Sequence, residues 1–211
     1  MDAYPLNKKH KLVRTNLKRR MNQEVPGMLE SDVIAYCAPT LAGLKTANMF
    51  SYKPLQMEGL DAEIRRANGI LNEKGVFIEV LKSNDARALL YVYRRKKLEA
   101  DLKREGARRL LEQCGYGDTE PEACIGHLKT RFSQYRDFPH EVGLFLGYPL
   151  HDVVGFIEQK GQNYKCTGIW KVYDNEKETQ QTFRKLKKCT EIYRRLFAGG
   201  RSIRKLTVAV Q

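Results

Sequence analysis

The sequence predicts an α+β protein in which several helices pack around a small, mainly antiparallel sheet. Three observations support this fold class. Segments with helical periodicity outnumber β-like segments, two neighbouring β-like segments are joined by turn-forming residues, and β-like segments do not alternate regularly with helices. Regular alternation would have favoured a parallel sheet covered by helices on both faces.

The expected elements of the first half are two helices separated at Pro39, a strand, a further helix and a β-hairpin. Because proline lacks an N–H and restricts its neighbour, Pro39 is expected to end the first helix at Ala38 and to begin the second. The hairpin is indicated by β-branched and aromatic runs on either side of Ser83-Asn84-Asp85. The predicted ranges are 31–38, 39–44, 48–52, 60–71, and 76–81 with 88–93.

The second half of the chain is also predicted to be mainly helical. Gly147-Tyr148-Pro149 is expected to hinge two short helices, because glycine and proline interrupt the most apolar stretch of the sequence. Alternating polarity predicts a strand before the long last helix. The expected ranges are a helix over 95–114, a helix opened by Thr119, short helices over 139–146 and 150–160, a strand over 164–173, a helix after Asn175 and an edge strand over 207–210.

Length and composition favour one soluble domain with a basic extension. The chain has 211 residues, of which 42% are hydrophobic and 30% charged, as in globular proteins. No apolar run approaches the roughly 20 residues that cross a bilayer. The first residues lack the apolar segment of a signal peptide, so we expect a cytoplasmic protein. We place a basic N-terminal arm at residues 1–28 and a single α+β domain at residues 29–211.

Cys37, His140 and Glu141 are the candidate catalytic residues. A thiol becomes nucleophilic when it ionises, and the predicted helix start at Pro39 would favour a thiolate at Cys37. His140 lies in the apolar stretch and would accept a proton, while Glu141 would orient the ring. Lys45 and Asn48, which follow Cys37, are candidates to hold a ligand. The alternative is a buried cysteine and a histidine that caps a helix.

His140, Glu141, His151 and Asp152 also carry the chemical groups of a metal site. Their spacing fits no established metal-binding pattern, so we assign no metal ligand. Neither a phosphate-binding loop nor a dinucleotide-binding motif occurs in the sequence. We therefore assign no cofactor. The five cysteines are odd in number and widely spaced, which is typical of free thiols rather than of a disulfide scaffold.

The net charge of +13 is concentrated in a few segments and suggests an anionic partner. Residues 184–205 alone hold nine basic residues against one acidic residue. The alternative function is therefore a non-catalytic module that binds nucleic acid or another polyanion. The other possibility is that these charged residues only form the solvent-exposed side of a helix. The candidate residues are Arg184, Lys185, Lys187, Lys188, Arg194 and Arg195.

Four motifs resemble a family of uncharacterised proteins, a domain of unknown function found mostly in anaerobic Gram-positive bacteria of the clostridial kind. They are the segments 37–45, 48–50, 138–149 with Asp152-Val153, and 170–173. The resemblance extends from about Ser31 to the C-terminus and excludes the basic arm. It implies no established activity, but it includes Cys37, His140 and Glu141. We therefore expect a thiol-dependent enzyme or a protein that binds a small molecule.

Overall fold

The computed structural model describes residues 28–134 and 138–209. This part of the chain confirms the predicted α+β class. No helix within it is both long and apolar enough to cross a membrane. The predicted arm lies outside the described residues except for Met28. The elements are α1 (Met28–Leu41), β1 (Ala47–Tyr52), α2 (Leu60–Leu71), β2 (Val76–Ser83), β3 (Ala88–Arg94), α3 (Arg95–Leu102), α4 (Glu105–Gln113), α5 (Pro121–Gln134), α6 (Val142–Phe145), α7 (Leu150–Glu158), β4 (Cys166–Thr167), β5 (Lys171–Val172), α8 (Glu176–Ala198) and α9 (Ile203–Leu206).

The central sheet has the strand order β1-β3-β2, and both pairings are antiparallel. The predicted hairpin is confirmed as β2 and β3. Because side chains alternate across a strand, Leu90 and Val92 of β3 face one core while Tyr91 and Tyr93 face the other. The sheet therefore separates two apolar layers.

Each face of the sheet is covered by its own set of helices. Buried residues of α1, α2 and α9 form the first core with one face. Partly buried residues of α8 pack against this core. The second core is built against the opposite face by helices α3 to α7. Cys37 thus belongs to a helix on the first face, whereas His140 lies just before α6, which packs on the second face.

Helix α1 continues through Pro39, so the predicted break at Ala38 is wrong. Proline has no N–H to donate to the carbonyl of Ala35 four residues earlier. Arg194 of α8 supplies the missing donor, with its guanidinium 3.0 Å from that oxygen. At the end of the helix, the buried guanidinium of Arg94 donates to the carbonyls of Thr40 and Leu41, each at 2.6 Å. Hydrogen bonds from distant arginines therefore stabilise the last turns of α1, where the local preference of proline would end the helix.

Three further predictions differ from the observed elements. The predicted helix over 95–114 divides into α3 and α4, because Arg104 adopts an extended conformation with ψ of 135°. The predicted strand over 164–173 is a short hairpin, since the chain reverses near Gly168, whose N–H donates to the Trp170 carbonyl. The predicted edge strand over 207–210 is absent from its described residues, 207–209. There, the N–H of Val208 donates to the Leu41 carbonyl beyond the end of α1.

Candidate functional site

A cavity of about 610 Å³ opens between the β4–β5 hairpin and helices α6 and α7. This volume lies within the range of sites that hold small molecules. Aromatic and aliphatic side chains dominate the wall, and we call this space the aromatic cavity. The wall consists of Met49, Phe138, His140, Val142, Gly143, Leu146, Tyr148, Asp152, Val153, Phe156 and residues 167–171.

Asp152 attaches the β4–β5 hairpin to α7 and so fixes one wall of the aromatic cavity. Its buried carboxylate accepts hydrogen bonds from the Trp170 indole and from the Tyr173 N–H, each at 2.7 Å. A buried carboxylate needs such donors to offset its lost hydration. Asp152 is therefore engaged in holding the hairpin in place.

Trp170 lies between two other rings. Tyr148 stacks on it with ring centroids 4.7 Å apart, and Phe183 of α8 meets it edge to face at 4.5 Å. The hairpin approaches α7 closely because Gly155 has no side chain, and an added Cβ would lie 2.6 Å from the Tyr173 ring. This packing gives the cavity a wall with an ordered aromatic surface.

Gly147 forms the predicted hinge between α6 and α7. Its φ of 70° lies in the left-handed region that favours glycine. An added Cβ would also lie only 2.6 Å from the Thr46 hydroxyl oxygen. The hinge thus brings the 138–149 segment against the segment that follows α1.

His140 contributes an exposed imidazole to the aromatic cavity. Its ring centroid lies 4.9 Å from that of Phe156. Within the described ranges, the imidazole makes no hydrogen bond to another residue, although Phe138 and Phe156 pack against it. Its nitrogens are therefore accessible to a polar group of a ligand.

Glu141 does not orient the His140 imidazole. Its carboxylate is buried and lies 2.6 Å from the Arg131 guanidinium. The Tyr116 hydroxyl donates a hydrogen bond of 3.1 Å to the same oxygen. These contacts explain the burial of an acidic side chain, and they give Glu141 a structural role.

Cys37 is completely buried in the first core, on the sheet face opposite the aromatic cavity. Burial raises the pKa of its thiol far above the usual range, with a smaller opposing effect from Lys45. The predicted helix start at Pro39, which would have favoured a thiolate, does not form. The structure therefore does not bring Cys37 and His140 together as a nucleophile and its base.

The two residues predicted to hold a ligand lie in different surroundings. Asn48 faces the first core, and its side-chain oxygen accepts a hydrogen bond of 2.7 Å from Thr40. Lys45 lies buried at the sheet edge, with Nζ 4.9 Å from the centre of the Tyr148 ring. Burial lowers the pKa of its amine to about 7. Lys45 also lines a second space of about 340 Å³, which we call the basic cavity. The other residues of its wall are Leu44, Thr46, Lys97, Ala100, Asp101, Arg104, Gly147, Trp170, Thr182 and Leu186.

A family model described as a protein of unknown function, DUF3793, matches residues 33–207. That range is most of the chain. The chain belongs to the DUF3793 family. Both cavities lie inside the matched range, whereas the predicted basic arm lies outside it. The searches of curated proteins and of solved structures found no match.

The four residues considered for a metal site do not form one in this family member. Across residues 28–134 and 138–209, no group of three potential ligands from His, Cys, Asp and Glu is arranged to hold a metal ion. Glu141 pairs with Arg131, and Asp152 binds Trp170. The two carboxylates are thus committed to other partners.

The predicted polyanion-binding residues lie on α8, whose apolar side packs toward α1. All six are exposed. Helical spacing places Arg184, Lys188 and Arg195 along one line on the solvent side. Arg194 differs from the others, because its guanidinium also bonds the Ala35 carbonyl. Five of the six basic side chains thus have no described role within the fold.

The aromatic residues of the cavity wall were not among the predicted site residues. Trp170, Tyr148 and Asp152 all fall in segments that carry the family resemblance. The presence of aromatic residues in those segments was the sequence signal that could have indicated the site. No spacing rule shows that residues 148 and 170 stack.

Proposed function

We propose that this DUF3793 protein binds a small organic molecule with a planar, apolar body in the aromatic cavity. The observation that carries the proposal is the cavity itself, with its ligand-sized volume and a wall of stacked aromatic rings. Burial of an apolar molecule against such a wall provides the driving force for binding.

The mouth of the cavity gives further support. Phe138 and Ile169 line the cavity but are 51% and 41% exposed, although both side chains are large and apolar. A bound molecule would cover these side chains and remove apolar surface from water. His140 would supply a hydrogen bond that fixes the orientation of the ligand.

We do not extend this proposal to thiol chemistry. A nucleophilic cysteine requires an accessible thiolate, and the Cys37 thiol is buried with a raised pKa. We therefore propose small-molecule binding alone, with His140 at the site and Glu141 stabilising the segment beside it.

The only tryptophan of the chain, Trp170, provides a direct test. The full chain would be titrated with N-phenyl-1-naphthylamine, a neutral aromatic dye, while Trp170 emission and dye emission are recorded. We expect quenching of Trp170 together with saturable enhancement of the dye. The rim variant Ile169→Asn should weaken binding by about fivefold, as expected for roughly one lost aliphatic contact.

Leu55→Asn is the matched control, because Leu55 is also an exposed aliphatic residue and does not line the aromatic cavity. It should bind the dye as the unchanged protein does. Equal affinities of the Ile169 and Leu55 variants, or no saturable response of Trp170, would reject the aromatic cavity as a binding site.

We propose a second function, polyanion binding, on a separate observation. The exposed side of α8 presents Arg184, Lys188 and Arg195 in one line, with Lys185 and Lys187 beside them. Such a row can neutralise successive phosphates of a nucleic acid, and binding then weakens steeply with salt.

The test compares two triple variants that lose the same charge. Arg184→Gln/Lys188→Gln/Arg195→Gln changes the α8 row, and Lys53→Gln/Arg65→Gln/Arg66→Gln changes exposed cations elsewhere. With a mixed-sequence RNA oligonucleotide, the α8 variant should reduce the slope of log affinity against log salt by about 2. An equal reduction in both variants would show that net charge, rather than this row, determines binding.

We further propose that the protein is located in the cytoplasm. We also propose that it comes from a bacterium of the clostridial kind, as the sequence resemblance suggests. All five cysteines are free thiols, which suits a reducing compartment. Fractionation of the native host with a cytoplasmic marker enzyme tests the location, and a pool in the cell wall or the culture medium would contradict it.

A further inference from the structure

The basic cavity contains more positive than negative charge. The side chains of Lys45, Lys97 and Arg104 line it, and Asp101 is the carboxylate in its wall. The Asp101 carboxylate already has two partners, since it accepts from the Thr46 hydroxyl at 2.5 Å and lies 3.0 Å from the Arg104 guanidinium. Lys45 and Lys97 also line this space, and neither forms an ion pair with another residue in the described ranges.

Lys45 is the most informative of these cations. Its side chain is 6% exposed, and Nζ donates one hydrogen bond, to the Ala47 carbonyl. The Tyr148 ring lies beside it. Within the described residues, no carboxylate oxygen lies within ion-pair distance of Nζ. Buried lysines are rare unless paired, so the position calls for a counter-ion that comes from outside the chain.

Lys97 adds a second donor at the same cavity. It is partly buried on α3, and Nζ donates to the Gly43 carbonyl at 2.5 Å. An ammonium group carries three N–H donors, so Lys45 and Lys97 each retain donors after these bonds. Two lysine side chains from different elements thus line one cavity, and charge-assisted donors of this kind bind oxyanions.

We propose that the basic cavity is a binding site for a tetrahedral oxyanion, with Lys45 as the central cation and Lys97 as the second. The anion is either a free inorganic ion or the phosphate group of an organic molecule. The volume of about 340 Å³ accommodates such a group. This proposal rests on the charges around Lys45 and is independent of ligand binding in the aromatic cavity.

Protonation of Lys45 gives the proposal a distinctive signature. Burial lowers the pKa of the Lys45 amine to about 7, while the nearby Cys37 thiol acts weakly in the opposite direction. Lys97, Asp101, Arg104 and Tyr148 are the other ionisable groups around it. A bound anion stabilises the ammonium form, so binding above that pKa takes up a proton.

Calorimetric titration of the full chain with sulfate at about pH 8, in two buffers of different ionisation enthalpy, measures this proton uptake. We expect binding with uptake of up to about one proton. Lys45→Met should weaken sulfate binding at least about tenfold and abolish the uptake, because a charge-assisted contact is lost. Lys96→Met is the matched control, since Lys96 is exposed beside Lys97 on α3 and does not line the basic cavity.

Phenyl phosphate, titrated in parallel, separates the two sources of the anion. Binding of sulfate supports a free inorganic ion, and binding of phenyl phosphate alone supports an organic phosphate. Lys97→Met provides a second test if Lys45→Met does not fold, and it should also weaken binding. The proposal is overturned if neither anion binds, or if the Lys45 and Lys97 variants bind as tightly as Lys96→Met.

Discussion

The indole of Trp170 donates a hydrogen bond of 2.7 Å to the buried carboxylate of Asp152. The same carboxylate accepts from the backbone N–H groups of Tyr173 and Asp174, at 2.7 and 3.3 Å. One acidic side chain on α7 thus positions both the aromatic wall and the end of the hairpin.

Asp152→Ala should destabilise the protein by about 2–4 kcal/mol, because it leaves the partly buried N–H donors of Trp170 and Tyr173 without their acceptor. Urea denaturation measures this loss, and the native emission of Trp170 should shift to the red as the indole gains contact with water. Asp174→Ala is the control, since Asp174 is exposed and pairs with Lys165 at the surface. Equal stabilities of the two variants would show that the Asp152 carboxylate does not anchor the hairpin.

The pH dependence of stability should report the buried Lys45 amine. Its pKa is lowered from 10.5 in the unfolded chain to about 7 in the fold. Between these values the unfolded chain binds more protons, so the free energy of unfolding rises with pH, by at most about 1.4 kcal/mol per unit. We expect Lys45→Met to lack this contribution.

Urea titrations between about pH 7 and 8.5 check the slope, since the unfolded cysteine thiols ionise mainly above that window. Lys96→Met should keep the slope of the unchanged protein. If Lys45→Met has the same slope as the unchanged protein, the Lys45 amine is protonated throughout this window in the fold.

Cys37 should resist alkylation in the folded protein. Its thiol is completely buried, and burial raises its pKa, so neither access nor ionisation favours reaction. Brief treatment with iodoacetamide, followed by peptide mass spectrometry, should label the partly exposed Cys166 first. Cys37 should react only in urea. Rapid labelling of Cys37 in native buffer would restore it as a candidate nucleophile.

Two glycine substitutions should have opposite effects. Gly147→Ala should destabilise the fold by about 1–3 kcal/mol, because Gly147 has φ of 70° and lies against Thr46. Gly69→Ala should stabilise it by about 0.5–1 kcal/mol, since Gly69 is inside α2 with open space around it. Thermal unfolding of both variants compares the two effects. Equal shifts in the same direction would contradict this interpretation of the hinge.

Local signals predicted much of the fold correctly. Apolar residues at helical spacing predicted α2 and most of α8, and the β-branched runs around Ser83 predicted the β2–β3 hairpin. Gly147 and Pro149 marked the hinge between α6 and α7. These features depend on residues close in sequence, so backbone preference and periodicity are sufficient to predict them.

Predictions failed where a distant partner changes the local preference. Pro39 would end a helix by itself, but Arg194 donates to the Ala35 carbonyl that Pro39 leaves without a donor. Tertiary contacts of this kind override local propensity and are not encoded in spacing.

The sequence by itself determined the α+β class and the basic character of α8, because these follow from periodicity, charge and composition. Only the tertiary structure decided that Cys37 lies on one face of the sheet and His140 on the other. It also brought Lys45, Tyr148 and Trp170 together. Side chains alternate across strands and helices pack from both sides, so the fold alone determines which distant residues share a cavity.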